Sequence, residues 1–204
     1  MTLLVNRIFP TLIAADFQPQ FADTLLPIAE EYLKTYGSSM QDREAHVATY
    51  NNKEVPHILN KDPRISKFTE YLINCSLEYL DAQNIDATNI KFHPPYYMFA
   101  KVGRGSYHPV HAHSGSLVSG LLYLTDCPDG APIIFKDPRD YYKYISYQPI
   151  WGRDRDSYSV LPEYVIKPER GMVLFFPSWL EHEVPKHNSD RDRITLVFNL
   201  DAIR

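Results

Sequence analysis

Residues 171–182 read GMVLFFPSWLEH, and this segment is the clearest indication of the fold. It begins with a glycine suited to a tight turn, continues as an apolar run of strand length, and ends at His182. Burying so apolar a strand holds its end rigidly, as a metal ligand requires. The stretch therefore predicts a β-rich core that presents His182 at a site.

A second histidine motif, His111-Ala112-His113, lies upstream. Side chains alternate between the two faces of a strand, so histidines two residues apart point the same way. If a distant strand supplied His182, three imidazoles would close one face of a metal ion and leave other positions open for small molecules. Imidazole suits iron, nickel, copper and zinc. The pattern predicts a metal centre.

Short strands separated by turn residues follow residue 90. We predict strands at 96–102, 119–125, 131–135, 164–166, 172–176 and 194–199. This spacing is typical of a sandwich, jelly roll or barrel. The fold class is therefore mainly β, with amino-terminal helices, in one domain over residues 1–204. We place the helical support at about 1–90 and the β core at about 91–204.

Two amphipathic helices are predicted in the first ninety residues, at 23–36 and 64–83. Gly37 gives the first a natural end, and Asp62-Pro63 gives the second a cap and a first-turn proline. Pro27 fits only if the first helix begins close to it. We expect both helices to support the core and to carry no site.

Composition excludes several classes of protein. The 204 residues are 44% hydrophobic, carry a net charge of −4, and contain no long run of lysine and arginine, which argues against a nucleic-acid partner. We see no signal peptide and no apolar stretch of membrane-spanning length. Cys75 and Cys127 stand in unrelated contexts. Free thiols in a reducing cytoplasm are therefore expected, with no membrane partner.

The strand at 193–199 places a cation and a hydroxyl, Arg193 and Thr195, on one face. An inward guanidinium is costly unless it meets an anion, and an acidic ligand beside the metal would supply one. Arg191 lies two positions before Arg193, so it would share the same strand face and competes for this role. We prefer Arg193, because Arg191 adjoins the polar turn at 186–190.

The stretch 140–160 is long, aromatic and charged. Connections of that length in a domain are usually functional or disordered. We expect a loop that covers the substrate, with Tyr147, Trp151 and Arg153 as its contacts.

Taken in order, these motifs resemble the 2-oxoglutarate- and Fe(II)-dependent oxygenase superfamily, which has a double-stranded β-helix (jelly-roll, cupin-like) fold. They are most similar to its small oxygenases of bacteria and phages. The motifs that carry the resemblance are HAH at 111–113, SGLLYL at 119–124, DPR at 137–139, the stretch 171–182, and RITLVFN at 193–199, together with IFPT at 8–11.

The resemblance implies a cytoplasmic hydroxylase of a bacterial or phage-infected cell that uses Fe(II), 2-oxoglutarate and O₂. His111 and His182 would bind the iron, and Arg193 would bind the far carboxylate of 2-oxoglutarate. Tyr123 and Thr195 would add hydroxyl hydrogen bonds to it. The substrate, a small molecule or a peptide, is not specified.

His113 departs from the superfamily pattern, because an aspartate or glutamate usually occupies that position. Three neutral imidazoles would leave the metal more electron-poor and would also admit copper, nickel or zinc. Asp137 or Glu183 could supply the carboxylate instead, although Glu181 and Glu183 alternate away from the face of His182. His108 either contacts a metal ligand or the substrate, or it is an ordinary loop histidine.

Two rival functions stay open. One is a three-histidine cupin-like dioxygenase that needs no 2-oxoglutarate, which would leave an inward Arg193 unexplained. The other is a non-catalytic jelly-roll binding module, in which His113 only packs. Metal content separates the module from both enzymes, and the dependence of O₂ consumption on 2-oxoglutarate separates the two enzymes.

Overall fold

The computed structural model describes residues 10–40, 43–139 and 163–203. The strands of these ranges are β1 Ala14–Phe17, β2 Ser38–Met40, β3 Arg43–Ala48, β4 Tyr96–Val102, β5 His108–His111, β6 Val118–Tyr123, β7 Ile133–Lys136, β8 Glu163–Ile166, β9 Met172–Pro177, β10 His182–Val184 and β11 Arg193–Leu200. The helices are α1 Pro19–Tyr36, α2 Val55–Leu59 and α3 Ser66–Ala82, and a 3₁₀ turn at Pro63–Ile65 leads into α3.

These strands form two antiparallel sheets. The larger sheet has seven strands in the order β1-β9-β6-β11-β4-β3-β2, and the smaller has four in the order β5-β10-β7-β8. The smaller sheet covers one face of the larger sheet, and the helices cover the other face. Each of these two contacts buries its own apolar cluster. This arrangement confirms the mainly β, jelly-roll class.

Strand β9, the centre of the stretch 171–182, contributes to both apolar clusters. Val173 and Phe175 pack with the helices, whereas Leu174 and Phe176 pack between the sheets. A strand buried on both faces needs a continuous apolar run, which explains its sequence. Gly171 makes the turn before it with a φ of 89°, a conformation that favours glycine.

Helices α1 and α3 correspond to the two predicted helices, with one difference in α1, whereas the short helix α2 was not predicted. Helix α1 begins at Pro19, so Pro27 lies well inside it rather than near its start. Pro27 is on the exposed face, where water can satisfy the carbonyl that has lost its partner, and the buried opposite face stabilises the helix. No helix in the described ranges is both long and apolar enough to cross a membrane.

Five strands were not predicted: β1, β2, β3, β5 and β10. The first three come from the first ninety residues and join the larger sheet, so residue 90 does not divide helices from strands. The other two are only four and three residues long, and they carry His111 and His182.

Candidate metal centre

Strands β5 and β10 are neighbours in the smaller sheet, and their register places His111 directly opposite His182. His113 completes the group, and a potential ligand atom from each of the three histidines lies within 4.8 Å of the others. The Nε2 atoms of His111 and His113 are 3.3 Å apart. The described chain therefore brings together the three histidines that the sequence singled out.

The reason that His111 and His113 face the same way differs from our expectation. Strand β5 ends at His111, so His113 is not in the strand and its direction is not set by strand alternation. Its backbone N–H instead donates to the carbonyl of Ser178, at 2.8 Å. The residue after β9 thus holds His113 beside the strand end that carries His111.

Each of the three rings has its Nδ1 atom against an oxygen. Nδ1 of His111 lies 2.9 Å from the carbonyl of Pro109, and Nδ1 of His182 lies 2.9 Å from the carbonyl of Leu180. Because a carbonyl only accepts, both Nδ1 atoms donate, and in the neutral rings Nε2 carries the lone pair. Metal-ligating histidines are held in this way by their second nitrogen.

The environment keeps two of these rings neutral. His182 is 4% exposed, and burial together with the nearby His111 lowers its pKa to about 3. Burial also lowers the pKa of His113, while its hydrogen bond to Asn199 opposes that change. Near neutral pH no proton therefore competes with a metal for these two rings.

The histidines line a cavity of about 820 Å³ between the two sheets. Strand β11 contributes every second residue to its wall: Arg193, Thr195, Val197 and Asn199. The alternate residues of the strand are buried on the opposite, helix-facing side. The period-two pattern of this strand therefore separates the core face from the cavity face.

Arg193 is buried in this cavity wall at 3% exposure. Its guanidinium carbon lies 4.9 Å from the ring centre of Tyr123, and Nη2 is 3.4 Å from the hydroxyl of the same residue. Its Nε has no hydrogen-bond partner within the described ranges, and none of the ion pairs found there includes Arg193. Among the described residues, this buried cation therefore has no anionic partner.

The other candidates for the same role are placed differently. Thr195 is buried and lines the cavity, whereas Tyr123 is buried and reaches it through Arg193. Arg191 is exposed on the far side of the turn, 4.0 Å from Asp126, and does not line the cavity. Strand β11 begins at Arg193, so the parity that made Arg191 a competitor stops before it.

The alternative carboxylates lie outside the histidine cluster of the described residues. Asp137 accepts hydrogen bonds from Nε and Nη2 of Arg139, at 2.9 and 2.8 Å, and this side chain holds the pKa of the carboxyl below its usual value. Glu183 pairs with Lys136 at 2.6 Å, and Glu181 is exposed.

His108 belongs to strand β5 and is not a loop residue. Its ring centre is 4.0 Å from that of His111 and 5.3 Å from that of His46, and both His108 and His46 line the cavity. No sequence motif singled out His46. Tyr147, Trp151 and Arg153, the proposed substrate-loop residues, lie outside the described residues.

Sequence reasoning also missed Ser119 and Asn199, which contact Nδ1 of His113 at 2.9 and 2.6 Å. A signal was present, since both residues belong to the quoted motifs SGLLYL and RITLVFN. Asn199 also has the same parity as Arg193 along strand β11, which places it on the cavity face.

Solved structures with this fold include several oxygenases. A prolyl-4-hydroxylase from Pseudomonas putida is 11% identical, with a TM-score of 0.64, covering 95% of this chain and 94% of that one. A prolyl hydroxylase from Trichoplax adhaerens, in complex with a hypoxia inducible factor peptide fragment, is 15% identical with a TM-score of 0.59, covering 93% and 83%.

HygX from Streptomyces hygroscopicus, with nickel, 2-oxoglutarate and hygromycin B bound, is 10% identical with a TM-score of 0.54, covering 94% and 83%. At these identities the similarity establishes the fold, the double-stranded β-helix. No protein of curated function matches the sequence significantly.

The family itself is identified by sequence. The profile of the family described as "Putative 2OG-Fe(II) oxygenase" matches residues 98–199, half of the 204-residue chain. The match spans strands β4 to β11 and includes the three histidines and Arg193. The chain belongs to this family of oxygenases, whose cofactors are Fe(II), 2-oxoglutarate and O₂.

Proposed function

We propose that the protein is a 2-oxoglutarate-dependent hydroxylase that binds Fe(II) with His111, His113 and His182 and binds the cosubstrate with Arg193. The observation that carries the proposal is the pairing of two features in one cavity. Three imidazoles converge there, and a buried guanidinium without a carboxylate partner in the described ranges lines the same space.

The donor set suits a divalent metal. Two nitrogens bound to a metal at about 2.1 Å, about 90–110° apart, stand about 3.0–3.4 Å from each other. The separation of 3.3 Å between Nε2 of His111 and Nε2 of His113 agrees with this. Two lone pairs facing each other at that distance repel unless a proton or a cation lies between them, and the cluster is therefore most stable with a cation bound.

Arg193 suits a dicarboxylate. A planar guanidinium binds a carboxylate through two parallel hydrogen bonds, and the bond is strong where water is excluded. Tyr123 orients the guanidinium from one side, and the Thr195 hydroxyl lies two residues along the same strand face. These residues would hold the far carboxylate and leave the 2-oxo acid end for the metal.

When both are bound, the iron and 2-oxoglutarate supply the oxidation: one atom of O₂ enters succinate as CO₂ is released, and the other enters the substrate C–H bond as a hydroxyl. The protein residues position the reactants and exclude water. His111, His113 and His182 fix where the reaction occurs, and Arg193 fixes the direction of the cosubstrate.

The substrate is proposed only as a class. The cavity, at about 820 Å³, is in the size range of sites for drug-sized ligands, so it has room for a second molecule beside 2-oxoglutarate. Its outer wall carries aromatic and thioether side chains, Tyr50, Tyr96 and Met98. A small molecule or a peptide side chain fits such a wall; HygX has hygromycin B bound, and the Trichoplax adhaerens enzyme is in complex with a peptide fragment.

The direct test measures succinate. Protein loaded anaerobically with Fe(II) should convert 2-oxoglutarate to succinate when O₂ is admitted, slowly without substrate and faster with a correct one. The Arg193→Met variant should lose succinate formation from 2-oxoglutarate and should still bind Fe(II). Retained 2-oxoglutarate binding in that variant would overturn the role given to Arg193.

Two outcomes would favour the rival functions. O₂ consumption that proceeds equally well without 2-oxoglutarate would indicate a three-histidine dioxygenase. Purified protein that binds no divalent metal in titration would indicate a binding module. Within the described ranges the buried Nε of Arg193 has no partner, and this argues against the three-histidine dioxygenase, which leaves an inward Arg193 unexplained.

A further inference from the structure

A compact cluster of polar side chains surrounds Nδ1 of His113, the ring nitrogen that faces away from His111. Nδ1 of His113 lies 2.6 Å from Oδ1 of Asn199 and 2.9 Å from Oγ of Ser119. The Ser119 hydroxyl donates to the same Oδ1 at 2.6 Å, and it lies 2.7 Å from the hydroxyl of Ser178. The three partners of His113 come from separate elements: Ser119 from strand β6, Asn199 from strand β11, and Ser178 from the segment after β9.

The strand register builds this cluster. Ser119 on β6 is directly opposite Asn199 on β11, and both strands lie inside the larger sheet. Ser178 directly follows β9, which is the other neighbour of β6. Ser119 and Ser178 are fully buried, so their hydroxyls must find partners inside the protein.

The cluster is satisfied by one pattern of hydrogen bonds. Oδ1 of Asn199 accepts from the Ser119 hydroxyl and from Nδ1–H of His113, and the Ser178 hydroxyl donates to Oγ of Ser119. In this pattern His113 carries its proton on Nδ1. Its Nε2 lone pair then points toward His111, the direction in which a metal ligand is needed.

His113 requires such support more than the other two histidines do. His111 and His182 are held by strand pairing, opposite one another in the smaller sheet. His113 follows the end of β5, and its backbone is tied by one hydrogen bond to Ser178. A ligand outside regular structure keeps its ring direction only through side-chain contacts.

We propose that Asn199 and Ser119 are positioning residues that fix the ring of His113 as the third metal ligand, in the position where the superfamily usually has a carboxylate. This inference rests on the proposed metal centre. It assigns a role to the serine of the SGLLYL motif and to the final asparagine of RITLVFN.

The test uses Co(II) as a spectroscopic probe on full-length protein stripped of metal. Asn199→Ala should weaken Co(II) binding by about 10- to 100-fold and change the visible d–d bands, as loss of a group that orients a metal ligand does. Asn199→Asp keeps an acceptor of the same shape and should bind Co(II) as tightly as the wild type or more tightly. Ser119→Ala should show a smaller loss than Asn199→Ala.

Asn60→Ala is the matched control. Asn60 is also a half-buried asparagine with two hydrogen bonds, to the carbonyls of Pro56 and Pro95, but it does not line the cavity. This variant should lose stability and retain the Co(II) affinity and spectrum of the wild type. Equal Co(II) affinity in Asn199→Ala and Asn60→Ala would overturn the proposal.

A double-mutant cycle shows whether Asn199 acts through His113. In a His113→Ala background, Asn199→Ala should cause no further loss of Co(II) affinity. Asn199→Asp binding as weakly as Asn199→Ala would show that the amide donates to His113, and would also overturn the proposal. Wild-type affinity in His111→Ala and His182→Ala would instead remove the metal centre itself, so the two failures are distinguishable.

Discussion

The polar groups at the two ends of the cavity differ in how many of them have hydrogen-bond partners within the described ranges. At the histidine end, each Nδ1 atom has an oxygen partner and each ring is anchored by a strand or a backbone hydrogen bond. At the arginine end, one guanidinium nitrogen is buried without a partner in the described ranges, and the nearest support is an aromatic ring and a long contact to its hydroxyl.

This difference indicates two ways of preparing a site. The histidine end is preorganised, so that binding a metal costs little reorganisation. The arginine end is incomplete without its ligand: the buried charge is unfavourable until a carboxylate arrives, and it therefore favours an acidic cosubstrate over a neutral one.

The largest effect is expected at the preorganised end. His182→Ala removes the most buried ligand of the three, and we expect Co(II) affinity to fall by more than 100-fold and succinate formation to disappear. His187→Ala is a suitable control, because His187 is equally buried but bonds to Ala131 and Arg191 and lies outside the cluster. Titration of both variants measures the difference, and a His182→Ala protein with unchanged affinity would contradict the comparison.

The second effect is expected at the incomplete end. Arg193→Met replaces a buried cation by an apolar side chain of similar length, so 2-oxoglutarate affinity should fall by about 100-fold or more. The ligand-free protein should gain about 1–2 kcal/mol of unfolding free energy, since the unpaired charge is removed. Isothermal titration and urea denaturation measure the two quantities.

Arg191→Met provides the contrast for Arg193→Met. Arg191 is exposed, and its only described ion-pair contact is at 4.0 Å, so neither 2-oxoglutarate affinity nor stability should change appreciably. If Arg193→Met destabilised the ligand-free protein instead, the arginine end would be complete as it stands, and the contrast between the two ends would fail.

The sequence predicted the ends of the cavity better than the chain path that builds them. Strands β4 and β9 carry long apolar or aromatic runs, and their periodicity is sufficient to find them. Strands β5 and β10 are short and polar, and β5 contains Pro109, so they have no periodic signal. They exist because β10 pairs with β5 on one side and with β7 on the other, which is a tertiary effect.

The same reasoning explains the two arginines and His113. A separation of two positions puts Arg191 and Arg193 on the same face only if both belong to the strand. Strand β11 begins at Arg193, so Arg191 lies outside it. His113 lies beyond the end of its strand and is positioned by Ser178, sixty-five positions later in the sequence, so no local pattern could place it. The motifs nevertheless contain the residues that the structure brings to the cavity, namely the three histidines, Arg193 and Thr195.

A smaller effect is expected where Arg193 meets Tyr123. Tyr123→Phe keeps the ring under the guanidinium and removes the hydroxyl, which lies 3.4 Å from Nη2. Loss of one hydrogen bond of this kind should weaken 2-oxoglutarate binding by about 2- to 10-fold, with Co(II) affinity unchanged. Thr195→Val tests the second hydroxyl in the same assay, and an effect on Co(II) rather than on 2-oxoglutarate would place either residue at the wrong end.

The smallest effect is expected for Asp137→Asn, and it separates the three-histidine centre from a centre with a carboxylate. Asp137 accepts two hydrogen bonds from the guanidinium of Arg139 and one from the backbone N–H of Arg139. These bonds keep its carboxylate ionised and hold it outside the histidine cluster. Exchanging it for an amide should leave Co(II) affinity within about twofold, because Asp137 lies outside the histidine cluster. A large loss of Co(II) affinity would mean that Asp137 leaves Arg139 to complete the metal site. The histidine end would then also depend on rearrangement when its ligand binds, and the two ends of the cavity would be alike.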